Sequence, residues 1–201
     1  MSVITISRQF GAGGKTLGDM VAQKLGYTFL DDQIIQMIAV QAKVSPKWVK
    51  SVENEAGGTL SKFITGMGRK SFLQRISGEG YMDEEIYVDL LHKIILQIAV
   101  EDNVVILGRG GQYILRDFEK AFHVLLIADR HHRIKFMETH YNFTQPQAER
   151  VVDRQEKRRM NLYKKFGKED FDQPNLYHLV LNMSRLSLEE AMAHICLLVN
   201  R

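Results

Sequence analysis

Near its amino-terminus the chain reads Ser7-Arg8-Gln9-Phe10-Gly11-Ala12-Gly13-Gly14-Lys15-Thr16, a run of small residues followed by a lysine and a hydroxyl. Set between a strand and a helix, such a run brings unpaired helix N–H groups and the positive end of the helix dipole to one spot. That is a ready site for a chain of phosphates. Read against G-x-x-x-x-G-K-[ST], Gly14-Lys15-Thr16 fits, and Gln9 stands where the first glycine belongs. In that frame Lys15 reaches the β- and γ-phosphates and Thr16 touches magnesium. The plain alternative is a flexible turn in any βα unit. A sharper rival is a dinucleotide fingerprint, Gly11-x-Gly13 with Asp31 or Asp32 about twenty residues on, at the end of a second strand. Its third glycine is replaced by Thr16, and a lysine in the turn suits a triphosphate better than a pyrophosphate.

Three further groups bear on phosphate chemistry. Gly108-Arg109-Gly110 follows an apolar run ending at Leu107, which puts Arg109 at the carboxyl end of a strand, where α/β sheets bind ligands. The structural alternative is a buried ion pair with Asp31 or Asp129. Between Arg150 and Lys168 there are eight basic and two acidic residues, Arg154, Lys157, Arg158 and Arg159 among them. That density fits a lid that neutralises phosphate; a solvated helix face or a weak nucleic-acid patch are the competing readings. Arginine suits the task because its planar fork binds two phosphate oxygens and keeps its charge. Asp31 is a candidate magnesium carboxylate, and Asp32 reads as a helix cap. His131 and His132 are adjacent on a predicted helix and point apart, so with His140 they make no zinc set. Trp48, Phe63 and Phe72 read as core rather than as a base-stacking platform.

Positioning these groups requires alternating strands and helices. Val3–Ile6 and Tyr27–Leu30 are short strand-like runs, and Leu17, Met20, Val21 and Leu25 recur between them at helical spacing, with Gly26 as a stop. Ile34, Ile35, Ile38 and Ala42 share a second helix face, and Ser45-Pro46 looks like an N-cap and first helical position. From about 45 to 82 the chain is broken by Gly57, Gly58, Gly66, Gly68, Gly78 and Gly80, and reads as a mobile helical insertion. A long helix follows, with Ile86, Leu90, Leu91, Ile94, Ile95 and Ile98 as its buried face. Asn103–Leu107 and Phe122–Ala128 are continuous apolar runs, as in parallel strands covered on both faces. Thr144-x-x-Gln147 and Ser187-x-x-Glu190 are capping boxes, with Leu179–Asn182 a last strand between them. Five strands with intervening helices predict an α/β three-layer sandwich.

The whole chain, 201 residues, 45% hydrophobic and 25% charged, has ordinary globular usage, which excludes wholesale disorder. A net charge of +3 is too small a bias to mark a nucleic-acid binder. One cysteine, Cys196, rules out an intramolecular disulfide. No basic n-region or membrane-length apolar run is present, so a cytoplasmic protein without membrane attachment is expected.

Ile4–Gly14, Gly108-Arg109-Gly110, the basic run Asp153–Arg159 and Leu179–Ser187 together resemble the cytidylate-kinase-like family of P-loop nucleoside monophosphate kinases, from about residue 3 to 199. The resemblance implies one domain over 1–201 with a five-stranded parallel sheet, a monophosphate-binding insertion at about 45–82 and a basic lid at about 145–168. It implies ATP and Mg2+ as cofactors and a nucleoside monophosphate, CMP or dCMP first, as acceptor. Gly11, Ala12, Gly13, Gly14, Lys15 and Thr16 would hold the ATP phosphates, with Thr16 and Asp31 toward the metal. Arg109 and Asp31 would face the acceptor, Arg154, Lys157 and Arg159 would close over it, and Asn182, Ser184 and Arg185 would lie near the adenine. No specific nucleic-acid binding is expected, and a homo-oligomer is compatible.

The chain departs from that pattern in places. Aligned through Gly11-Ala12-Gly13, Gly14 stands where the loop lysine is usual and Lys15 where the magnesium hydroxyl is usual. Gly110 replaces an aspartate, and Met37 replaces an arginine. A nucleotide-binding regulator, or a kinase of a different small acceptor, is therefore the second expectation, and a dinucleotide-binding oxidoreductase the third. Because a monophosphate acceptor is already anionic, catalysis needs positioning and charge neutralisation rather than a strong base.

Overall fold

The computed structural model describes residues 2–54, 84–101, 103–167 and 171–199. Most of the segment expected at 45–82 lies outside them; its first part forms a helix. The elements run β1 (Val3–Arg8), α1 (Gly14–Leu25), β2 (Thr28–Leu30), α2 (Gln33–Ala42), α3 (Pro46–Asn54) and α4 (Glu84–Val100). Then come β3 (Val104–Leu107), α5 (Gly111–Ile114), β4 (Ala121–Ile127), α6 (Arg130–Tyr141), α7 (Gln145–Lys165), β5 (Leu179–Asn182) and α8 (Leu188–Val199).

The five strands form one sheet in the order β2-β3-β1-β4-β5, and every pairing is parallel. β1 is central, with Ile4 in register with Val105 on one side and Phe122 on the other. Alternation along the strands sends side chains to two cores. Val3, Leu30, Val104 and Ile106 pack with Ile34, Ile38, Leu91 and Ile95 of α2 and α4. Ile4, Ile6, Leu107, Val124 and Leu126 pack on the other face with Leu17 and Val21 of α1 and Ile195 of α8. The expected three-layer α/β sandwich is what forms.

The sheet order overturns the dinucleotide expectation. In that fold the strand carrying the acidic residue neighbours β1. Here β3 separates β2 from β1, so the glycine turn and Asp31 belong to a different topology.

Helix ends follow local chemistry. Ser45 Oγ accepts the Trp48 N–H at 3.2 Å, and both halves of the Thr144–Gln147 capping box are made. Ser187 Oγ accepts the Glu190 N–H at 3.2 Å, and Glu190 returns a carboxylate to the Ser187 N–H at 2.8 Å. Asp32 corrects its expected role. It occupies the N-cap position of α2 without a side-chain cap bond, because its oxygens face Lys50 and Arg109 instead.

Candidate active site

β1, β2 and β3 end at one edge of the sheet, and the residues that follow them meet there. β1 runs to Arg8, and the turn Gln9–Gly13 leads into α1, which begins at Gly14 with Gly13 as its N-cap. Gly11 and Gly13 have φ of +89° and +77°, conformations that side chains rarely adopt. A Cβ on Gly11 would also lie 2.8 Å from the Arg133 carbonyl oxygen. The turn is anchored from outside: Gln9 N–H donates to the Leu126 carbonyl at 2.9 Å, and Gln9 Oε1 accepts the Ala128 N–H at 2.9 Å. Its Phe10 N–H donates to Glu156 Oε2 of α7 at 2.9 Å.

Beside this turn lies a cleft. It is lined by Arg8 and Leu107 from the ends of β1 and β3, by Asp31, Asp32, Glu53 and Arg109, and by Gln155, Arg158, Arg159 and Tyr163 of α7. Arg109 is 8% exposed and sits in a left-handed turn, with φ of +70°, +52° and +70° at Gly108, Arg109 and Gly110. A non-glycine residue at positive φ costs of order 1–3 kcal/mol, so strong contacts must hold it there. They are ion pairs: Nη1 to Asp31 Oδ1 at 3.1 Å, Nη2 to Asp32 Oδ1 at 3.4 Å and Nε to Glu53 Oε1 at 3.2 Å. Burial, which alone would lower the guanidinium's pKa, is outweighed by Glu53, Tyr87 and Asp31, and the pKa is raised. Glu53 is fixed in turn by the Tyr87 hydroxyl, which donates to it at 2.8 Å. The ion-pair alternative for Arg109 is thus realised with Asp31, and Asp129 takes no part.

The remaining expected residues distribute unevenly. Lys15, the second residue of α1, is 61% exposed and lies 3.4 Å from Asp31 Oδ2. Thr16 is half-buried at the same helix end, and its hydroxyl makes no hydrogen bond among the described residues. Arg159 lines the cleft, but Asp172 holds it at 2.6 Å and Glu156 holds it from the preceding turn. Arg154 and Lys157 are exposed on other faces of α7 and do not line the cleft. Arg158 does line it, and has no ion-pair partner among the described residues. Asn182, the last residue of β5, and Ser184 and Arg185 just after it lie across β4 from the turn. There Ser184 Oγ accepts the Asp129 N–H at 2.8 Å and Asn182 Oδ1 accepts the Ser184 N–H at 3.0 Å. Trp48 is 38% exposed on α3 rather than core, and Phe63 and Phe72 lie outside the described residues.

Sequence reasoning missed Arg8, Glu53 and Glu156. Glu53 carries no motif and reaches the site only through the packing of α3. Glu156 was hidden in the basic run, where it links the glycine turn to Arg159. Arg8 had one signal: a glycine at position 14, where the loop lysine is usual.

The model of the cytidylate kinase-like family matches residues 3–185. The chain belongs to that family. A comparison with curated protein sequences finds no match. Among solved structures, an uncharacterized protein from Eubacterium ventriosum ATCC 27560 is similar at TM-score 0.64 and 14% identity, over 99% of this chain and 98% of that one. A gluconokinase from Sinorhizobium meliloti 1021 is similar at TM-score 0.51 and 12% identity, over 99% of this chain and 94% of that one. Shikimate kinase from Bacteroides thetaiotaomicron is similar at TM-score 0.50 and 16% identity, over 100% of this chain and 99% of that one. At these identities the likeness is one of fold, that of the P-loop kinases. This cytidylate kinase-like chain keeps Gly110 where an aspartate was expected for a physical reason: a Cβ there would lie 2.6 Å from the Phe166 ring. Among the described residues no helix is long and apolar enough to cross a membrane.

Proposed function

We propose that the protein transfers the γ-phosphoryl group of ATP to a small acceptor, with a nucleoside monophosphate, CMP or dCMP first, as the acceptor class. The observation that carries this reading is a glycine turn with positive φ at a helix N-terminus, beside a cleft lined by Arg8, Arg109, Arg158 and Arg159. In the transfer, the bond between the γ-phosphorus and the β,γ-bridging oxygen breaks. An acceptor oxygen forms the new bond, and ADP leaves with the electron pair. The turn's N–H groups and the end of α1 hold the phosphates, and Arg158 stabilises charge spread over the moving group. Mg2+ suits the donor chemistry at Thr16 and Asp31, a hydroxyl and a carboxylate, and when bound it offsets triphosphate charge. Asn182, Ser184 and Arg185, on the β5 side of the turn, would lie near the adenine in this reading. A cytoplasmic setting and small-molecule partners accord with this reading.

One observation favours a second acceptor class. Arg109 is already matched by Asp31, Asp32 and Glu53, and an acceptor phosphate would have to displace at least one of them. An uncharged hydroxyl acceptor would not, and Asp31 could then accept its proton. Coupled detection of ADP release, with each nucleoside monophosphate and then with small polyols and sugar acids, separates the two. Turnover with CMP or dCMP is the expected result. Turnover only with hydroxyl acceptors would select the second class, and none with any acceptor, beside measurable ATP binding, would leave a nucleotide-binding regulator.

A further inference from the structure

We infer that Arg8 takes the place of the phosphate-loop lysine, its guanidinium binding the β- and γ-phosphates of the nucleotide from the end of β1 rather than from α1. The inference rests on the phosphotransfer reading of the site and names the cation which that reading lacks.

Aligned through Gly11-Ala12-Gly13, the place of the phosphate-loop lysine falls on Gly14, the first residue of α1, with Gly13 as its N-cap. A Cβ built on Gly14 would lie 2.8 Å from Arg8 Cγ, 3.2 Å from its Cβ and 3.3 Å from its Cδ. The space a lysine stem at 14 would take is filled by the stem of Arg8. At its other end, Arg8 Nη1 overlaps the place where a Cβ on Gly108 would stand. Glycines at 14 and 108 thus form the two sides of a slot for one side chain. That slot leads from the phosphate turn to the Arg109 turn, the path a transferred phosphoryl group must take.

Charge points the same way. Arg109 is matched by three carboxylates and Arg159 by two, yet Arg8 has no ion-pair or hydrogen-bond partner for its guanidinium among the described residues. Burial pulls the Arg8 pKa below the ordinary arginine value; Tyr163 and Asp31 oppose that shift, and Arg109 and Arg159 add to it. An unmatched cation in such surroundings is costly to the free protein, and an incoming polyphosphate would relieve that cost. Lys15 is exposed and turned to Asp31, so it competes poorly for the role.

The test is equilibrium binding of ATP and of inorganic tripolyphosphate to the full chain, with thermal melting of the ligand-free protein alongside. Arg8→Met should weaken both ligands tenfold or more while leaving the ligand-free melting temperature unchanged or raised. Arg8→Lys should stay within about threefold of wild type, and Lys15→Met likewise. Gly14→Lys alone should lower the melting temperature through its clash with Arg8, and Arg8→Ala with Gly14→Lys should recover most of the affinity. Wild-type affinity in Arg8→Met would overturn the inference and leave the phosphotransfer reading standing. A drop of several degrees in ligand-free Arg8→Met would also overturn it, making Arg8 structural. Absence of any ATP or tripolyphosphate binding by wild type would overturn both.

Discussion

Removing Arg109 would leave Asp31, Asp32 and Glu53 crowded around a vacated position, with separations to the guanidinium of 3.1, 3.4 and 3.2 Å gone at once. Breaking a buried ion pair from one side costs about 3–5 kcal/mol, so Arg109→Ala should lose about that much in urea unfolding at pH 7. Burial raises the Asp32 carboxyl pKa, but Lys50 and Arg109 outweigh it and hold the group below its ordinary value. A depressed carboxylate contributes stability above its unfolded pKa of about 3.9 and loses it as pH falls through the folded value. The gap between wild type and variant should therefore persist from neutral pH down to about 4 and narrow only below that. A variant within 1 kcal/mol of wild type would contradict the ion-pair account of Arg109. The sequence offered Asp31 or Asp129 as an ion-pair partner of Arg109 only as the alternative to a phosphate-binding role, and the choice of Asp31 follows from β2 and β3 lying side by side. It gave no sign that Glu53 completes the set, since α3 reaches the cleft through packing with α2 and α4 rather than through a motif.

At the scale of elements, the turn between β3 and α5 is the most constrained piece of the site. Gly110 combines a φ of +70° with a missing Cβ that would stand 2.6 Å from Phe166, whereas Gly26 has φ of +69° and open space. Gly110→Ala should lower stability by about 1–3 kcal/mol more than Gly26→Ala, because only the first adds a steric conflict to the backbone cost. Equal losses in chemical denaturation would show that Phe166 moves aside freely. All five strands were legible, because each is a short apolar run bounded by turn residues. The capping boxes placed the starts of α7 and α8 because their side-chain bonds are local. What stayed hidden was which face of α7 meets the cleft. Its basic residues occur all round the helix, and only the spacing of Gln155, Arg158, Leu162 and Tyr163, read as a stripe, separates the lining face from the solvated one.

At the scale of the whole molecule, β1 and β4 share a buried polar contact that makes stability depend on pH. His123 Nδ1 lies 2.7 Å from Thr5 Oγ1, and Nε2 makes no hydrogen bond among the described residues. Burial and then His178 push the His123 pKa down to about 4. The unfolded chain, with a histidine value of about 6.5, binds the proton first, so stability is complete above that pH and falls as pH drops toward 4. The loss should reach about 3 kcal/mol and be absent from His123→Asn, compared by urea unfolding across that range. An equal slope in both proteins would assign the pH dependence elsewhere. The central claim, however, concerns the glycine turn and the unmatched arginines beside it, which together should hold a polyphosphate. Calorimetric titration of the full chain with ATP and with AMP tests it most directly. ATP should bind at least tenfold more tightly than AMP, and its affinity should weaken as salt rises. Equal affinities, or AMP the tighter ligand, would contradict the account.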